Sequence, residues 1–123
     1  MSIPFIKMNG LGNDFVVLDA RERAIPMSDA IAAAISDRSS GVGCDQLIIM
    51  EKAHAPASVF MRIYNQDGGE VAACGNATRC IAQVLMDEEG RDDITVETGA
   101  GFLACSRAGN NIAVDMGVPK FGW

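Results

Sequence analysis

Ala73-Cys74-Gly75-Asn76-Ala77-Thr78-Arg79-Cys80-Ile81, residues 73–81, opens a segment that closes on Asp87-Glu88-Glu89-Gly90. A turn, Asp67-Gly68-Gly69, and a short apolar approach, Val71-Ala72-Ala73, lead into it. Ile81, Val84 and Leu85 then fall at i, i+3 and i+4, the spacing of an apolar helix face. The pattern predicts a helix that starts just after Cys74 and stops at Gly90, a residue suited to ending one. Ala77, Cys80, Ile81, Ala82, Val84, Leu85 and Met86 make it apolar most of the way round, so it should be buried. Arg79 and Gln83 then need partners or an exit to solvent.

A cysteine at a helix start has a chemical consequence. First-turn amides have no intrahelical acceptor and the helix dipole adds partial positive charge, so the position favours thiolate over thiol and seats an anion. Gly75 carries no Cβ to obstruct an approach to those amides, and Asn76 brings a polar side chain to the same spot. The competing reading is that cysteine is a small core residue. That reading suits Cys80, which lies further into the helix and lacks exposed amides.

Composition sets the outer bounds. A chain of 123 residues, 49% hydrophobic, makes one domain with an ordinary core. Its net charge of −6, with ten Lys and Arg and no basic cluster, argues against nucleic acid as a partner. No apolar run is long enough for a membrane span, and residues 1–7 lack the basic region and apolar core of a signal peptide, so the cytoplasm is the expected compartment. There Cys44, Cys74, Cys80 and Cys105 should be free thiols. They are not expected to hold a metal, because no Cys-x-x-Cys occurs and His54 sits in a loop-like stretch as a solvated residue.

Taken in order, strands are expected at residues 4–8 and 14–20, the second with the run Phe15-Val16-Val17-Leu18, rich enough to be buried on both faces. Residues 9–13 must turn between them. Ser28 is a helix N-cap candidate for residues 29–37, with Ile31, Ala34 and Ile35 on the apolar face and many alanines for close packing. A loop through Gly41-Val42-Gly43 feeds a strand at 46–51. It is not a dinucleotide fingerprint, since the third glycine is absent and a strand follows instead of a helix. Residues 58–65 alternate, with Val59, Met61, Ile63 and Asn65 on one face; Asn65, at the strand end before the turn towards Cys74, can project beside the cysteine. Strands at 94–98, 102–107 and 112–116, separated by glycine-containing turns, read as an antiparallel meander. The sum, about seven strands and two helices, is an α+β domain: a curved, mostly antiparallel sheet wrapped around a central helix. Residues 1–117 form it, and 118–123 read as the start of a linker.

Cys-Gly-Asn-x-x-Arg-Cys at 74–80, Asn-Gly-Leu-Gly-Asn-Asp-Phe at 9–15 and Gly-Val-Gly-Cys-Asp-Gln at 41–46 together resemble the N-terminal half of the diaminopimelate epimerase family. The resemblance covers essentially the whole chain. It implies a fold of two similar halves with the active site between them, so a C-terminal half is missing here and is an expected partner, and a homodimer is compatible with it. It also implies that Asn13 and Gln46 contact an amino-acid substrate, although asparagine also suits a turn in its own right. The substrate implied is LL-2,6-diaminoheptanedioate, converted to the meso form for lysine and cell-wall synthesis.

Inverting a carbon next to a carboxylate requires taking a weakly acidic proton from one side and returning one to the other. No cofactor is expected, so oriented donors in a water-poor site must hold the developing charge. Cys74 is the expected base on one side, Gly75 and Asn76 supply anion contacts, and Asn13, Gln46 and Asn65 hold the substrate. The second base, a cysteine in the family, belongs to the missing half, so this chain alone is expected to be inactive. The alternatives are a related racemase or isomerase, such as one acting on proline, and a half-length binding module without chemistry.

Overall fold

The computed structural model describes residues 5–10, 12–22, 25–39, 41–54, 57–72, 75–109 and 111–115. The elements run β1 (Phe5–Gly10), β2 (Asn13–Asp19), α1 (Asp29–Ser36), β3 (Gln46–Glu51), β4 (Val59–Asn65), β5 (Glu70–Val71), α2 (Gly75–Glu89), β6 (Asp93–Thr98), β7 (Gly101–Ala108) and β8 (Asn111–Asp115). All strands join one sheet in the order β1-β2-β3-β4-β6-β7-β8, with β5 paired to β4. β2–β3 and β4–β6 are parallel and the other pairs antiparallel. Because α2 packs on β1 and on β8, the two ends of that order, the sheet must curl around it. This is the curved sheet and central helix expected from the sequence, with β6, β7 and β8 forming the meander.

The period-2 alternation of the strands sorts their side chains between two cores. Phe15 and Val17 of β2, Ile48 and Met50 of β3, and Val59, Met61 and Ile63 of β4 face α2, where they pack with Ala77, Cys80, Ile81, Ala82, Leu85 and Met86. Val16, Leu18, Leu47, Ile49 and Tyr64 face the other way, towards Ala32 of α1. The uninterrupted apolar runs of β2 and β3 follow from this, since a helix covers each face. Arg79 and Gln83 lie on an exposed stripe of α2. Its far end is tied to the sheet by Arg21, which bridges Asp19 and Glu88, and by Arg107, which meets Asp87.

Three expectations need correction. β1 and β2 run closer together than predicted, with Gly10 paired to Asn13, so Asn13 is a strand residue and not part of the turn. Gly12, at φ 91°, makes that short reversal available. The two-residue strand β5, which caps the edge of β4, is too short to show a period and was not foreseen. On α1 the inward face is Ala32 and Ser36, with Ile35 packed against the same core as expected, while Ile31 and Ala34 are exposed. Turns pack closely on the helix as well: a Cβ on Gly68 would overlap the Asp29 carbonyl, and one on Gly41 the Ala34 carbonyl. The Ser28 cap is as expected, with Ser28 Oγ accepting from Ile31 N at 3.1 Å.

Among the described residues no helix is long and apolar enough to cross a membrane. The expected linker, 118–123, lies outside the described residues.

Candidate active site

On β2, β3 and β4 the apolar row facing α2 ends in an amide side chain, and these ends lie at the same side of the sheet. Asn13 continues the row of Phe15 and Val17, Gln46 that of Ile48 and Met50, and Asn65 that of Met61 and Ile63. Register aligns them: Gln46 pairs with Asn65 on β4 and with Phe15 on β2, two residues from Asn13. All three are half-buried, as are Gly75 and Asn76 at the start of α2. Residues up to 63 positions apart in sequence are thus brought together.

Two hydrogen-bonded pairs set which way the amides present themselves. Arg79 can only donate, and its Nη1 reaches Asn76 Oδ1 at 3.0 Å. That leaves Asn76 Nδ2 to make a long contact of 3.4 Å with Asn13 Oδ1, and Asn13 Nδ2 has no partner among the described residues. Across the strands, Gln46 Nε2 donates to Asn65 Oδ1 at 3.1 Å. Gln46 Oε1 is then buried with no hydrogen-bond partner among the described residues. A buried acceptor left unsatisfied costs free energy, so this atom is open to a donor from a ligand or from solvent. Arg79 therefore finds both the partner and the exit to solvent that the sequence required.

The turn after β4 holds Asn65 in place: Asn65 N donates to Gly69 O at 2.7 Å and Gly68 N to Asn65 O at 2.9 Å. Gly75 behaves differently from the packing glycines. Nothing lies within 4 Å of where its Cβ would be, so no described neighbour requires glycine there. The first turn of α2 carries no acidic residue to neutralise its amides.

Cys74 lies outside the described residues, and α2 begins at the residue after it. Cys44, Cys80 and Cys105 are buried, and burial pushes the Cys105 thiol up to about 11. His54 is exposed and meets Glu97 Oε1 at 3.3 Å, well away from this end of the sheet. In the glycine loop, Val42 N and Gly43 N both donate to Ile35 O and Cys44 N to Ser36 O, so these amides cap α1.

A cluster that sequence reasoning missed adjoins the site. Arg38 donates to both oxygens of Asp14 at 3.0 and 2.9 Å and to Asp45 Oδ1 at 3.0 Å. The guanidinium holds the Asp14 carboxyl far below the usual carboxylate range, aided by the Asp45 amide. The signal was present: Asn13-Asp14 and Asp45-Gln46 each set an aspartate beside a candidate site amide.

Comparison with known proteins gives a consistent result. Residues 5–122 match the diaminopimelate epimerase family profile. Diaminopimelate epimerase of Rhodospirillum centenum is 54% identical over 121 residues, covering 97% of this chain and 42% of that protein. The protein of the same name from Acidiphilium cryptum is 53% identical, over 98% of this chain and 43% of its own. The chain thus spans less than half the length of these curated relatives. Among solved structures, a phenazine biosynthesis protein of the PhzF family from Enterococcus faecalis superposes with a TM-score of 0.70 at 20% identity, over 91% of this chain and 43% of that one, which shows the shared fold.

Proposed function

The chain belongs to the diaminopimelate epimerase family, and on that premise we propose that it is the N-terminal, one-base portion of an enzyme that converts LL-2,6-diaminoheptanedioate to the meso form. The observation that carries this reading is the buried Gln46 Oε1, without a partner among the described residues, at the end of the sheet where Asn13 meets Asn76 of α2. An α-amino acid offers the complementary groups. Its ammonium supplies a donor to Gln46 Oε1, and its carboxylate accepts from Asn13 Nδ2, Asn65 Nδ2 and the amides of Gly75 and Asn76.

Held in this way, the carboxylate sits at the positive end of α2, where charge that develops at the α-carbon spreads into it and is stabilised. Cys74, directly ahead of that helix, acts as thiolate base on one face. The proton returns from a second acid on the opposite face, contributed by a C-terminal half of the same protein. That half also closes the site from water, which strengthens each of these electrostatic contacts. The bacterial cytoplasm is the compartment this reading assigns.

The test uses the full product of the gene, incubated with LL-2,6-diaminoheptanedioate and followed by chiral separation. Conversion to an equilibrium of LL and meso forms is expected. Racemisation of proline without action on the diamino acid would replace this reading with the related-racemase alternative. Binding without turnover of either would leave the non-catalytic module.

A further inference from the structure

Asp14 and Asp45 sit on the reverse of the sheet from the site, on the side of Val16, Leu18, Leu47 and Ile49, while their neighbours Asn13 and Gln46 face α2. They bind each other reciprocally: Asp45 N donates to Asp14 Oδ1 at 2.8 Å, and Asp14 N donates to Asp45 Oδ2 at 3.0 Å. Asp45 N also reaches Asp14 O at 3.0 Å. These bonds lock the starts of two parallel strands whose connection runs through α1 and a long loop. Arg38 closes the arrangement by spanning both carboxylates, and Lys7 adds a looser contact to Asp14 at 3.6 Å. Gly43, at φ 85°, passes so near the Arg38 stem that a Cβ there would stand 3.1 Å from its Cα and Cγ.

We propose that Arg38 is a positioning residue: by bridging Asp14 and Asp45 behind the sheet, it fixes the spacing of Asn13 and Gln46 in front of it and so sets how tightly the site holds its amino-acid ligand. The proposal rests on the function given above. The guanidinium fork matches this task, because it engages two carboxylates at fixed angles where a lysine ammonium offers a single point charge. Arg38 is half exposed, and such pairs add little to global stability, so the effect on the site is separable from folding.

The experiment is a double-mutant cycle in the full gene product with LL-2,6-diaminoheptanedioate. Arg38→Met raises KM about tenfold through misplacement of the two amides, while kcat stays within about threefold. Arg38→Lys, the milder variant should Arg38→Met fail to fold, gives an intermediate KM. In an Asn13→Ala background, Arg38→Met costs no more than about a further twofold, because half of what it positions is gone. An equal fold-change in both backgrounds, or an unchanged KM, overturns the proposal. If the wild type proves inactive on this substrate, the functional reading fails on its own, and side-chain amide NMR still decides the clamp. Resonances of Asn13 and Gln46 that shift in Arg38→Lys while those of Asn76 hold support it; unmoved Asn13 and Gln46 resonances contradict it.

Discussion

Gln46 and Asn65 face each other across β3 and β4, and the 3.1 Å bond from Gln46 Nε2 to Asn65 Oδ1 leaves the other end of the glutamine amide a buried acceptor with no donor among the described residues. A folded chain tolerates such an atom where a ligand completes it. Under the proposed function, the pair couples a small loss of stability in the empty site to recognition of an ammonium group.

Gln46→Met separates the two effects. Losing the bond to Asn65 is offset by removing the orphan acceptor, so stability should change by less than about 1 kcal/mol. KM for the amino-acid substrate should rise at least about tenfold. Denaturant melts and initial-rate kinetics on the same preparation read both numbers. A large loss of stability with unchanged KM would assign Gln46 to the core instead.

Two glycines should respond in opposite ways. Gly41→Ala drives a Cβ into the Ala34 and Ile35 carbonyls and should destabilise the fold by about 2 kcal/mol or more. Gly75→Ala meets open space at a helical position and should leave stability within about 1 kcal/mol of wild type, or raise it. Its cost should fall on substrate affinity, because the added methyl stands over the first-turn amides. A thermal melt showing Gly75→Ala to be the less stable of the two would contradict that division.

Thiol chemistry distinguishes Cys74 from the rest. Cys44, Cys80 and Cys105 are 0%, 7% and 2% exposed, and the Cys105 thiol is pushed up to about 11 by burial. Limited alkylation of the native, substrate-free protein should label Cys74 first, with the other three reacting only on unfolding. Mass-spectrometric mapping that finds one of those three labelled ahead of Cys74 would remove it as the base.

Acid should weaken the clamp with a defined sign. Asp14 titrates well below its unfolded value because Arg38 and the Asp45 amide favour its charged form, so the unfolded chain takes up the proton first as pH falls. The stability it adds is complete above about pH 5, about a unit over the ordinary aspartate value, and drains away below it. The gap in stability between wild type and Asp14→Asn should accordingly be constant from neutral pH to about 5 and shrink beyond. A gap that widens on acidification would mean that Asp14 is not held as a carboxylate.

Much of this was legible in the sequence, for reasons that can be stated. The period-2 row Val59, Met61, Ile63, Asn65 fixed both the face and the end at which Asn65 would appear, and the near-continuous apolar surface of α2 marked it as the helix inside the curl. What the sequence hid were relations between distant segments. Nothing local says that β2 lies beside β3 in parallel, so Arg38, 24 residues from Asp14, could not be connected to it. Ile31 and Ala34 misled because hydrophobicity points inward on average, while α1 turns Ala32, Ile35 and Ser36 towards the sheet and leaves the other two exposed.

The central claim is that Cys74 moves the α-proton on one face of the substrate while a second half of the protein supplies the other base. Incubation of LL-2,6-diaminoheptanedioate in heavy water with the full gene product, its Cys74→Ala variant and the 123-residue chain alone tests it most directly. The wild type should yield meso product carrying deuterium at the inverted carbon, and the variant and the isolated chain should leave the LL isomer unconverted. Epimerisation at the wild-type rate by Cys74→Ala, or by the isolated chain freed of intact enzyme, would contradict the two-base account.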